Sequence, residues 1–204
     1  DSTTNGRIGY IHIPDMGFGH GLNEFVKYFY PQIRKEGLII DDRYNGGGNV
    51  SSLIIERLRR ELAFVEHIRN QQEVIMGTPD AAFTGPMVCL INEQSMSDGD
   101  LFPYQFKMYD LGPVIGKKTW GGIIGIRGSL PLLDGSSLHK PEFANFSREG
   151  EWTVEGVGVE PDIEVDNHPY QEYIGNDQQL DRAIEEVLQL VEEYEGPKMP
   201  ELPE

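Results

Sequence analysis

The sequence predicts an α/β domain with a mostly parallel sheet flanked by helices. Short apolar strand-like runs alternate with stretches of helical spacing, the mark of successive βα units. The apolar runs that begin at Leu38 and Met87 are almost unbroken, as strands covered on both faces are. Two strand-to-helix junctions carry small residues, Gly46-Gly47-Gly48 and Ser95-Met96-Ser97. In a parallel sheet both junctions emerge at the carboxyl edge, where α/β active sites gather.

The elements follow in order. Residues 8–13 read as the first strand. Leu22, Phe25, Val26, Phe29 and Ile33 then recur at helical spacing. Strand 38–42 leads through the glycine turn into a helix from about Val50, with Leu53, Ile54, Arg57, Leu58 and Leu62 on one stripe. Residues 63–85 have no clear period and are expected to form a loop-rich excursion with at most one short element; loops this long are often functional or partner-facing. Strand 87–91 precedes a helical pattern at 101–109, and further strands are expected at 114–117, 123–126 and 163–165. Leu180, Ile184, Val187, Leu188 and Val191 mark the last helix, which Asp177 can cap. Residues 1–7 read as a linker, 8–195 as one core and 196–204 as an extended tail.

With 204 residues, 38% of them hydrophobic, the chain can bury one sizeable core. A net charge of −17 argues against a nucleic-acid surface, which needs a basic face. Much of the acid lies in the last third, as at Glu185-Glu186 and Glu192-Glu193, where it keeps a surface soluble. No run reaches the length of a membrane-spanning helix, so no membrane partner is expected. Residues 1–6 lack a basic-then-apolar leader pattern. A cytoplasmic location is the expectation, with periplasm or secretion as alternatives. Cys89, the single cysteine, sits in an apolar strand and reads as a buried thiol. No Cys/His cluster has zinc spacing, and neither metal nor cofactor is expected.

Ser97 stands between an apolar strand and a helix. A hydroxyl on such a turn is exposed for attack, and the helix N-terminus offers unpaired N–H groups to a developing oxyanion. The alternative is that Ser97 or Ser95 only caps the helix, with Asp98 and Asp100 as first-turn partners of its dipole. The glycine turn lets backbone N–H groups approach a ligand without Cβ obstruction. It could cradle a phosphate or be a plain tight turn, but it lacks both the P-loop Lys-Ser/Thr and GxGxxG spacing.

Five segments together resemble the tricorn and C-terminal-processing serine peptidases. They are Gly9-Tyr10-Ile11-His12-Ile13-Pro14, Ile39-Ile40-Asp41-Asp42-Arg43-Tyr44-Asn45-Gly46-Gly47-Gly48, residues 92–102, Gly116-Lys117-Lys118-Thr119-Trp120-Gly121-Gly122, and Gly158-Val159-Glu160-Pro161-Asp162. They run in family order across most of residues 7–192. The resemblance implies an α/β spiral core of the Clp/crotonase kind, a peptide substrate and a homo-oligomer. It implies Ser97 as nucleophile, with oxyanion donors from the Asp98 N–H and from Gly47, Gly48 being the near alternative. On this reading the Asp98 side chain is irrelevant to the donors.

The processing branch activates serine with a lysine, and that position is Gly122 here. Lys117 and Lys118 are the substitutes to consider. The tricorn branch uses a histidine held through a second serine and a glutamate. Glu155 matches that glutamate, with Glu160 as runner-up; a carboxylate there orients and stabilises an imidazolium. The family's histidine, its companion serine and a PDZ module lie upstream of the segments present, so this stretch alone is expected to cleave little or nothing. His20, in a glycine-rich loop, is the local histidine worth testing, whereas His12, His67, His139 and His168 read as structural or surface residues. The family's specificity acid corresponds to one of Glu66, Glu73 or Asp80. The competing expectations are a non-catalytic ligand- or peptide-binding module and a structural assembly domain.

Overall fold

The computed structural model describes residues 3–69 and 75–197. Five parallel strands form the central sheet: β1 (Ile8–His12), β2 (Gly37–Asp41), β5 (Met87–Ile91), β6 (Val114–Gly116) and β9 (Ile163–Glu164), side by side in that order. Each later strand is added on the same side of the one before it. Right-handed crossovers taken repeatedly in one direction put their helices on one face. Accordingly α1 (Gly21–Gln32), α2 (Ser51–Leu58) and α3 (Asp98–Met108) share a face, and α5 (Gln178–Glu193) covers the other. A mixed α/β fold with a parallel sheet between helices meets the expectation.

The unbroken apolar runs resolve into two cores by the two-residue period of a strand. Leu38, Ile40, Met87, Cys89 and Ile91 face Phe25 and Phe29 of α1, Ile54 and Ile55 of α2, and Phe102 and Phe106 of α3. Ile39, Val88, Leu90 and Ile115 face Ala183 and Val187 of α5. Each such side chain contributes about 1.5–3 kcal/mol on burial. The cores therefore fix the register of β2 and β5, and with it the position of the loops at their carboxyl ends. Residues 4–7, read as linker, are held to this body: Arg7 pairs with Glu36 and Glu192, and Thr4 Oγ1 accepts the Ile8 N–H at 3.4 Å.

Three expectations need correction. Residues 63–85 contain an antiparallel hairpin of β3 (Phe64–His67) and β4 (Ile75–Thr78), not a single short element. The run at 123–126 does not join the main sheet. Its strand begins two residues later as β7 (Gly125–Pro131), paired antiparallel with β8 (Ser137–Phe143) in an exposed hairpin. The apolar signal was genuine, but only Ile123 is buried; Ile126 is 58% exposed. The short α4 (Pro169–Tyr173) was not foreseen, and α2 ends at Leu58, before Leu62. Of the tail at 196–204, residues 198–204 lie outside the described residues.

Candidate active site

The Ser97 turn leaves β5 at Ile91 and enters α3 at Asp98. Ser97 has φ +58° and ψ −118°. That lies outside the ordinary left-handed well, whose ψ is about +30 to +60°. Such strain costs on the order of 1–3 kcal/mol and persists only where surroundings impose it. Here the Met96 N–H donates to the Asn45 carbonyl at 2.9 Å, while the Ser97 carbonyl accepts from Asp100 and Leu101 N–H at 2.9 and 3.1 Å. Ser97 occupies the cap position, yet its side chain makes no capping bond. Among the described residues nothing hydrogen-bonds its Oγ. The capping alternative therefore fails for Ser97. Ser95 is fully buried; its Oγ donates to the Asp42 carbonyl at 2.8 Å and accepts the Asn92 N–H at 3.2 Å. It is a structural hydroxyl.

The glycine turn meets this elbow directly. Gly47 has φ +87°, and a Cβ there would lie 2.6 Å from Ser97 Cβ and 3.1 Å from the Asp98 nitrogen. Gly48, at φ +152°, faces the loop after β1; a Cβ there would lie 2.0 Å from the Met16 carbonyl oxygen. Met16 in turn donates to the Gly47 carbonyl at 2.8 Å and accepts from Asn49 N–H at 2.7 Å. The Gly47 N–H, preferred from sequence as a donor, bonds to Asn45 Oδ1 at 2.9 Å. Among the described residues, neither the Gly48 nor the Asp98 N–H has an acceptor.

Four aspartates underlie the two turns. Asp41 takes a bidentate pair from Arg43, Nε to Oδ1 at 2.9 Å and Nη2 to Oδ2 at 2.7 Å. Arg43 also reaches Asp177 and Gln179, tying the glycine turn to the start of α5. Asp98 binds Ser51, and Asp100 accepts the Gly121 and Gly122 N–H groups at 2.7 and 3.3 Å. Asp42 is fully buried; burial first, then the charge of Asp41, pushes its carboxyl well above the usual range. Its Oδ1 accepts from Asn45 Nδ2 at 2.9 Å, and its Oδ2 has no partner among the described residues.

Glu155 lies in the exposed turn before Gly156, and its Oε2 accepts Ile123 and Ile124 N–H at 2.7 and 3.0 Å. The same 120–124 segment reaches the elbow: Trp120 N–H donates to the Ser95 carbonyl at 3.0 Å, and Gly121 and Gly122 bind Asp100. Glu155 is thus fastened to one end of this short bridge, and Ser95 and Asp100, which flank Ser97, to the other. The lysines are disposed otherwise. Lys117 pairs with Glu93 and Asp166, and its bond to Asp166 holds its ammonium above the ordinary value, opposite to what a base requires. Lys118 pairs with Glu160, the runner-up glutamate. His20 Nδ1 bonds Asp15 Oδ2 at 2.5 Å in a pocket with Tyr10, His12, Glu24 and Tyr28, and Ser97 does not line that pocket. His12 Nε2 lies 3.4 Å from the Arg43 carbonyl. His67 is in β3, His139 is in the exposed β7–β8 hairpin, and His168 caps α4. Of the proposed specificity acids, Glu66 is in β3, Asp80 follows β4, and Glu73 lies outside the described residues.

Sequence reasoning missed Asn45 and Ser51. Asn45 is completely buried, and its side chain holds Ile13, Asp42 and Gly47 at once. An Asn two residues before a Gly in a turn is a known Asx-turn signal that could have marked it. A cavity of about 910 Å³ lies at the opposite, amino edge among Leu58, Tyr109 and Leu111, where helix C-termini meet. The anion-stabilising ends of the helices are at the Ser97 edge instead.

Residues 7–165 match Peptidase family S41. The chain is 45% identical over 192 residues to the tricorn protease of Thermoplasma volcanium, covering 94% of this chain and 18% of that protein. It is 43% identical over 193 residues to a putative tricorn-like protease C-terminal subunit of Sulfurisphaera tokodaii, covering 93% of this chain and 22% of that one. The crystal structure of the tricorn protease superposes with a TM-score of 0.81 at 42% identity, covering 94% of this chain and 18% of that chain. The chain thus spans about a fifth of the length of these relatives. The strained serine elbow, the glycine turn against it and these likenesses agree, and the chain belongs to peptidase family S41.

Proposed function

We propose that this chain is the nucleophile-bearing core of a serine peptidase of the tricorn kind. The observation that carries the reading is the contact of Gly47 with Ser97 and the Asp98 nitrogen, which brings a free hydroxyl and open backbone donors to one point. Ser97 Oγ attacks the scissile carbonyl carbon as its proton passes to a base. The Asp98 N–H and a glycine-turn N–H hold the oxyanion. The second donor is Gly48, or Gly47 once the carbonyl displaces Asn45 Oδ1. Collapse expels the amine, which takes the proton from the base, and leaves an acyl-serine for water to cleave. Each donor is worth about 10²–10³ in turnover by comparison with other oxyanion sites.

The base is a histidine from a segment outside residues 1–204, held through a second serine by Glu155. Peptides are the substrates. The test is peptide cleavage by the gene-encoded protein containing these residues, beside this chain alone. Cleavage by the longer protein, its loss in Ser97→Ala and its near absence from the short chain are expected. Undiminished cleavage in Ser97→Ala would refute the assignment.

A further inference from the structure

The two walls of the oxyanion site belong to different βα units, so something must set the gap between them. Asp98 is the first residue of α3, and Ser51 is the first residue of α2, just after the glycine turn. Asp98 Oδ2 accepts the Ser51 N–H at 2.9 Å, and Asp98 Oδ1 accepts the Ser51 hydroxyl at 2.5 Å. The first N–H groups of a helix have no acceptor within it. Asp98 supplies one from across the gap, although neither α2 nor α3 has a side-chain bond from its own cap residue. Gln105, two turns further along the same face of α3, donates to Ser51 Oγ at 3.1 Å and closes the connection. Asp98 is 7% exposed and Ser51 3%, so the pair is sealed from a bound peptide. The Asp98 side chain, irrelevant on the sequence reading, is bonded to the far wall while its backbone N–H faces the elbow.

We propose that the Asp98 carboxylate is a positioning group that sets the distance between the Asp98 N–H and the glycine turn, with Ser51 as its anchor. The inference rests on the serine-peptidase reading above. It predicts that breaking the clamp slows chemistry at Ser97 without weakening capture of the reagent. A misplacement of about 1 Å in such a site can cost about 10²-fold.

The experiment is phosphonylation of the gene-encoded protein containing these residues by an alkyl fluorophosphonate, followed by intact mass; an unlabelled wild type would overturn the nucleophile assignment and this proposal with it. An Oγ–P bond forms, fluoride leaves with the bonding electron pair, and the hydroxyl proton passes to the base proposed above. Concentration series separate the inactivation rate constant from the reagent's dissociation constant, and thermal melts are recorded in parallel. Ser97→Ala takes no label. Asp98→Asn and Ser51→Ala are expected to lose about tenfold or more in rate constant, short of the ~10²–10³ of an absent donor, with unchanged dissociation constant. Ser51→Thr, which keeps the hydroxyl, restores the rate. If Asp98→Asn does not fold, Ser51→Ala carries the test. Wild-type rates in both clamp variants, with Ser97→Ala unlabelled and only the melting temperatures lowered, overturn the positioning role and leave the nucleophile standing. Labelling of Ser97→Ala at the wild-type rate overturns the peptidase reading itself.

Discussion

Replacing Gly47 by alanine tests the meeting of the two turns. The added Cβ would lie 2.6 Å from Ser97 Cβ, 2.8 Å from the Met96 carbonyl oxygen and 3.1 Å from the Asp98 nitrogen. Two of these are backbone atoms of a strained turn and cannot swing aside as a flexible side chain would. Gly47 also has φ +87°, which costs an L-residue about 1–2 kcal/mol. Overpacking adds about 1–3 kcal/mol. The sum, about 2–5 kcal/mol, corresponds to a fall of about 4–20 °C in Tm for a domain of this size. Gly46→Ala is the matched control, because its Cβ meets nothing within 4 Å and its φ is not in the left-handed range. It should be neutral, or stabilising by about 0.4–1 kcal/mol through the unfolded chain. Differential scanning calorimetry and fluorophosphonate labelling read both variants. Gly47→Ala melting and labelling like the wild type, or Gly46→Ala failing equally, would refute the proximity of the turns.

Three further outcomes are expected. In a peptide-cleaving longer form, Glu155→Gln lowers kcat while leaving KM; in this chain its melting temperature stays near wild type, since the amide oxygen still accepts the Ile123 and Ile124 N–H groups, and an equal kcat would remove Glu155 from the mechanism. Asp42→Asn gains stability relative to wild type as pH rises: the folded Asp42 carboxyl holds its proton above the unfolded value near 3.9, so its contribution is complete below that value and is lost as pH climbs through the raised one. Urea unfolding at several pH values checks this, and parallel curves for the two proteins would contradict it. Lys117→Gln with Lys118→Gln leaves Ser97 phosphonylation unchanged, because both ammonium groups are committed to surface carboxylates; a large loss of labelling would restore lysine as a base.

The parts of the fold legible in the sequence are those where one physical signal dominates. The runs at 38–40 and 87–91 have no polar face, and only a doubly covered strand suits them. The hairpin of β7 and β8 was illegible because its residues are mostly exposed, so no buried face imposes an alternation. At the site, Ser97 and the glycines could be read from their place at junctions. Ser51 and the Asp98 clamp could not, since their bonds cross 47 residues and depend on the approach of two helix ends; of Asn45 only the bond to Gly47 two residues on had a local signal, and its bond to Ile13 crosses 32 residues. Which of the adjacent glycines keeps its N–H open was hidden, because choosing between them needs the turn's φ and ψ values.

If the site stabilises an oxyanion as proposed, four aspartates beneath it would oppose that role were their charges unmet. Two like charges 4 Å apart repel by about 4 kcal/mol at an effective dielectric constant of 20. Each carboxyl is met differently. Asp41 is matched by the Arg43 guanidinium. Asp98 sits on the N-terminus of α2, where the helix carries roughly half a positive charge. Asp100 receives two backbone N–H groups. Asp42 has one amide bond and, among the described residues, no cation beside it, and burial favours its neutral form instead. A neutral Asp42 adds no repulsion to an oxyanion, and the cost of the arrangement is concentrated on its Oδ2, the one buried side-chain oxygen without a partner among the described residues. Charge on the floor of the site is therefore met by the Arg43 guanidinium at Asp41 and by helix and backbone N–H groups at Asp98 and Asp100, while burial pushes the Asp42 carboxyl toward its neutral form; on the proposed reading, this weakens the field that opposes an oxyanion above.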